Sequence, residues 1–93
     1  MYTHIVFFIL NDPADAPAFE ERLLALGDQI DALKEVEVGV DDAPSARSAH
    51  LCLITRFDDA HGLEVYRVHP KHEAFLQWAR PRVTRTLKVD YAR

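Results

Sequence analysis

A chain of 93 residues in which 48% of the side chains are hydrophobic can bury one core and not two, which predicts a single domain over residues 1–93. Its 11 basic and 15 acidic side chains leave a net charge of −4, which excludes a chain built mainly to coat nucleic acid or an anionic membrane. Cys52 is the one cysteine and sits in the apolar run Leu51-Cys52-Leu53-Ile54, so no disulfide forms within the chain, and a buried, inert thiol in a reducing, cytoplasmic setting is expected.

Thr3 to Leu10 is rich in β-branched and aromatic residues and stops at Asn11-Asp12-Pro13, which predicts a strand. The run is too short to cross a bilayer and lacks a basic leader. Both its faces are apolar: His4, Val6, Phe8 and Leu10 share one side, Ile5, Phe7 and Ile9 the other, so each needs a cover. Asp12 to Pro17 reads as a turn into a helix, with Asp15 as N-cap and Lys34 near the end. Phe19, Leu23, Leu26, Ile30 and Leu33 form its apolar stripe, a core feature and not a site.

Val36, Val38 and Val40 alternate with Glu35, Glu37 and Gly39, the pattern of a strand near a sheet edge with one wet face. Asp41 to Ala49 reads as an exposed loop, placed to act as a lid. His50 to Phe57 is again apolar on both sides, with His50, Cys52 and Ile54 on one face and Leu51, Leu53 and Phe57 on the other. A short helix from Asp58-Asp59 to Val68 follows, then a second from Lys71 to Ala79, and a last strand from Arg82 to Tyr91 whose Thr84, Thr86, Lys88 and Asp90 form a mixed outer face.

The order β-α-β-β-α-β predicts an α+β, ferredoxin-like split βαβ fold with a four-stranded antiparallel sheet and its helices on one face. The two-sided first and third strands then leave Ile5, Phe7, Ile9, Leu51, Leu53 and Phe57 uncovered, which predicts a homodimer packed through the sheet faces.

The densest chemistry is Tyr66-Arg67-Val68-His69-Pro70-Lys71-His72. On one continuous helix Tyr66 and His72 would be rotated roughly 240° apart at about 3.6 residues per turn. Pro70 breaks that helix, holds His69 extended and starts a new one, which allows both polar tips to enter one space. By strand parity His4 and His50 join them, on the face that carries Val6 and Phe8. His72, in the first turn of the second helix, is the candidate base; Tyr66 is the candidate donor to a carbonyl or enolate oxygen; His4, His50, Val6 and Phe8 are candidate ligand-binding residues. Ordinary capping and packing account for the same residue types, so a structural role stays open beside the catalytic one. His69-x-x-His72 is not read as a metal site, because no third ligand stands at a diagnostic spacing and Pro70 spoils the helical presentation. Nor do Arg80, Arg82, Arg85, Lys88 and Arg93 suggest nucleic acid, since no aromatic platform interleaves them.

His4-Ile5-Val6, Tyr66-x-x-His69-Pro70-x-His72 and Val89-Asp90-Tyr91 together resemble the stress-responsive dimeric α/β-barrel (Dabb) family over nearly the whole chain. The resemblance implies a ferredoxin-like protomer and a barrel closed between two sheets. It also implies a pocket. The family includes a plant polyketide cyclase, olivetolic acid cyclase, in which a Tyr and a His matching Tyr66 and His72 serve an aldol cyclisation and histidines matching His4 and His50 line the pocket. The expected function is binding of a small, partly apolar, carbonyl-containing ligand, with cofactor-independent proton transfer of the cyclase kind. The alternatives are a non-catalytic stress-response or binding module and a small monooxygenase-like enzyme. No cofactor, nucleic acid or membrane partner is expected.

Overall fold

The computed structural model describes residues 1–93. Its strands are β1 (Tyr2–Leu10), β2 (Glu35–Val40), β3 (Leu51–Phe57) and β4 (Val83–Ala92); its helices are α1 (Ala16–Gln29), α2 (Ala60–Arg67) and α3 (Pro70–Ala79). Short 3-10 turns at Pro13–Asp15 and Arg80–Arg82 lead into α1 and β4. All pairings are antiparallel and the sheet order is β2-β3-β1-β4, so the first and third strands are the central pair, as in ferredoxin-like folds.

The helices cover one face, where Phe8, Leu10, Phe19, Leu23, Leu26, Leu51, Leu53, Phe57, Leu63, Tyr66 and Phe75 are buried in one cluster. Phe19 is its aromatic centre, with Phe8, Phe75 and Trp78 at ring-centroid distances of 5.7, 5.9 and 4.8 Å. α1 approaches β2 closely because Gly27 has no side chain there; a Cβ would lie 2.8 Å from Val36 Cγ1.

Four local expectations are corrected. α1 ends at Gln29, before Lys34, because Ile30 turns extended; its side chain and that of Leu33 still fill the core from the turn. The capping acid is Asp12, which accepts from Ala14 N–H at 3.0 Å, whereas Asp15 lies inside continuous helical backbone and makes no capping bond. The phase of β3 is reversed. Val6 stands opposite Leu53 and Phe7 opposite Cys52, so Leu51, Leu53 and Phe57 face the helices while Cys52 and Ile54 face away with Ile5 and Phe7. A strand apolar on both sides carries no alternation to fix its phase; register does. For the same reason Thr86, Lys88 and Asp90 of β4 lie on the helix side, and Leu87 and Val89 lie on the other.

Candidate functional site

Two caps place the polar cluster. Asp59 accepts from Gly62 N–H at 3.0 Å and starts α2. At the break His69 is extended, as a residue before proline should be, and its Nδ1 accepts from Lys71 N–H at 3.1 Å. His69 is therefore a helix cap. The redirected chain brings the Tyr66 and His72 rings to 4.3 Å between centroids, tilted by 38°.

Tyr66 is 1% exposed and packs on Phe57 at 5.3 Å. Burial pushes its phenol far above the ordinary range, so it stays a protonated donor across physiological pH. No protein group bonds to its hydroxyl, yet the oxygen is not sealed in, and Tyr66 lines a cavity. His72 Nδ1 donates to the carbonyl of Arg67 at 3.0 Å. A carbonyl only accepts, so in the neutral ring the proton resides on Nδ1 and Nε2 keeps its lone pair. Burial lowers the pKa of His72, against the opposing pull of the Arg67 carbonyl, so desolvation is the leading cause of its basic form being retained.

The cavity holds about 240 Å³ between β1, β4 and the broken helix. His4, Val6, Phe8, Tyr66 and His72 line it, together with Leu23, Leu53, Phe75 and Leu76. His4 stands opposite Asp90 in the β1–β4 register, and its Nδ1 donates to that carboxylate. Lys88 Nζ donates to the other carboxylate oxygen at 2.6 Å. Burial works to raise the Asp90 pKa, and the bonds from Lys88 and His4 outweigh it, so the carboxyl titrates below its usual range. An ionised Asp90 fixes the His4 ring as a buried carboxylate fixes a catalytic or ligating imidazole.

His50 does not join the cluster. It shares the phase of Cys52, and its Nδ1 accepts from Leu10 N–H at 2.9 Å, closing the end of β1. Asp90, Lys88, Arg67 and Thr86 are the residues that sequence reasoning left without a role; Lys88, Arg67 and His4 border both the cavity and an adjoining, more polar recess of about 310 Å³ that includes Asp90. Strand parity alone does not find Asp90; only the β1–β4 register sets it opposite His4. No group of three His, Cys, Asp or Glu side chains converges as a metal ligand set. The arrangement can accept a proton at His72 and donate a hydrogen bond from Tyr66 within one small apolar space.

A family model, the stress-responsive A/B barrel domain (Dabb), matches residues 2–93. A comparison with curated protein sequences found no match. Among solved structures the chain is similar to a dimeric protein of unknown function with a ferredoxin-like fold from Bacteroides fragilis, at 26% identity and a TM-score of 0.88 over 99% of this chain and 95% of that one. A dimeric ferredoxin-like protein from Thermobifida fusca matches at 26% identity and a TM-score of 0.86, over 99% and 90%. The hydroxynitrile lyase of Passiflora edulis shares the fold at 16% identity, with a TM-score of 0.82 over 97% and 90%. With its sheet order, its broken second helix and a family match across almost its whole length, the chain belongs to the stress-responsive A/B barrel (Dabb) family.

Proposed function

We propose that this protein is a homodimer packed through its sheet faces, and that each protomer binds a small, partly apolar carbonyl compound between β1, β4 and the α2–α3 break. The observation that carries the site is a pairing: a buried Tyr66 ring whose hydroxyl opens on the cavity without a protein partner, beside a His72 whose Nδ1 is tied to a backbone carbonyl. A donor and an acceptor are thus left for a ligand. His72 Nε2 takes the proton from the carbon next to the carbonyl, the electron pair moves onto the carbonyl oxygen, and Tyr66 donates a hydrogen bond to the resulting enolate. Ring closure by aldol addition is the corresponding cyclase step. His4, oriented by Asp90, and the walls Val6 and Phe8 position the ligand.

The volume limits the substrate. A cavity of about 240 Å³ is below the roughly 300–1,000 Å³ of drug-sized sites, so a longer ligand must extend past His4 into the adjoining recess. The sheet-to-sheet dimer is supported by the apolar outer face and by dimeric relatives of the same fold.

A second reading has its own observation: the bond from His72 to Arg67 ties α3 to α2 across the break, which is a structural service. Deuterium exchange at the α-carbon of a panel of β-keto compounds, followed by NMR in D2O, separates the two. Exchange catalysed by the wild type and lost in Tyr66→Phe and His72→Ala, with folding unchanged, establishes the enzyme. Absence of exchange, with saturable binding of the same compounds, leaves a binding module.

A further inference from the structure

The cavity and the recess beside it differ in the charges they present. No aspartate or glutamate lines the cavity, and its two permanently charged residues, Arg67 and Lys88, are both cations, although the chain as a whole carries a net charge of −4. The acids that accompany them, Glu64 and Asp90, border the recess instead. Lys88 stands opposite Val6, between Thr86 opposite Phe8 and Asp90 opposite His4, so it rises from the side of β4 that walls the cavity. Arg67 closes α2, and its carbonyl is the one that holds His72 Nδ1, which ties its place to that of the base. Arg67 and Lys88 are thus set where cavity and recess meet.

Neither cation is saturated by the protein. An ammonium has three N–H donors and a guanidinium five; Lys88 commits one to Asp90 and Arg67 one to Glu64. The Lys88 and Arg67 side chains are 63% and 59% exposed, so these pairs are screened by solvent and readily rearranged. An anionic group arriving at the junction meets donors that can turn toward it. Because the junction is open, that group also keeps part of its hydration, which lowers the cost of bringing a charge in. Tyr66 and His72 offer a donor and an acceptor to a carbonyl group and the carbon next to it; the two cations offer a counter-charge farther along the same ligand.

We propose that the carbonyl ligand of this site is a keto acid: its carboxylate lies at the junction between Arg67 and Lys88, its ketone oxygen faces Tyr66, and its alkyl part packs on Leu23, Phe75 and Leu76. The proposal rests on the reading of the site given above and names the class of its ligand. A single negative charge suits the junction, because Glu64 and Asp90 stand beside the cations and repel a dianion such as a phosphate ester. The same cations act on the chemistry. Removing a proton next to the ketone places a further negative charge on a ligand that is already anionic, and Arg67 and Lys88 offset it.

The test uses β-ketooctanoate and γ-ketooctanoate, each beside its methyl ester, titrated into the full chain at neutral pH and followed by NMR. In the wild type the acid of at least one pair binds about tenfold tighter than its ester, the gain expected of two partly exposed ionic contacts. Added salt erodes that preference. In the double variant Arg67→Met with Lys88→Met, shown to be folded by circular dichroism, acid and ester bind alike, whereas Lys88→Arg, which keeps the charge, retains the preference. Equal binding of acid and ester to the wild type in both pairs, or a preference that survives in the double variant, overturns the carboxylate subsite and leaves the site itself standing. Binding of neither acid nor ester to the wild type overturns the reading of the site beneath it.

Discussion

At the scale of single residues, His72 is the group whose environment does most. Its pKa is lowered chiefly by burial, so between that value and the unfolded value of about 6.5 the unfolded chain binds a proton that the folded chain does not. Stability therefore rises with pH through this window, is fully present above it, and is eroded as the pH falls through it. In His72→Gln the slope of melting temperature against pH should flatten there, measured by calorimetry from pH 5 to 7.5. The proton-transfer rate should have the same acid limb, falling as His72 becomes protonated. Tyr66→Phe should behave differently. Its hydroxyl has no protein partner to orphan, so stability should change by less than about 1 kcal/mol, while ligand affinity and any turnover fall. The pairing of Tyr66 with His72 was legible in the sequence because Pro70 is a local signal with one structural meaning. Asp90 was not, since its partner His4 lies 86 positions away and only the register of two strands brings them together. His50 misled because the alternation around it is apolar on both faces.

At the scale of elements, α1 and the break between α2 and α3 hold the cavity in place from opposite sides. Phe19 is fully buried among Phe8, Phe75 and Trp78, so Phe19→Ala should cost about 3–5 kcal/mol in chemical denaturation and loosen the wall formed by Phe75. Asp59→Ala removes the cap of α2 and should cost about 1 kcal/mol in the same measurement. The strands and helices themselves could be read from periodicity and punctuation, because most have a proline or an aspartate at one end or the other. The end of α1 could not. Ile30 and Leu33 continue the helical spacing of buried side chains although the backbone has already turned, so the hydrophobic pattern outlasts the helix.

At the scale of the whole molecule, the sheet has one face under helices and one face without a cover inside the protomer. A charge placed in the middle of the uncovered face should be decisive: Phe7→Asp or Leu87→Asp should convert the proposed dimer to a monomer in sedimentation equilibrium while the helical circular dichroism signal persists. The need for a cover was legible from β1 alone, whose two sides are both apolar. Which residues of β3 and β4 share that surface was not, because their phase is set by pairing and not by pattern.

β4 links the two halves of this picture. It is an edge strand with β1 as its one neighbour, and its residues alternate between two duties: Thr86 and Lys88 border the cavity, while Leu87 and Val89 lie on the face assigned to the second copy. In the proposed dimer a strand shared in this way would couple occupancy to association, since whatever steadies β4 from one side lowers the ordering cost from the other. Ligand should then bind more tightly as protein concentration is raised through the dimerisation range, and a saturating ligand should lower the dimer dissociation constant by the square of the per-site gain, because each dimer carries two sites.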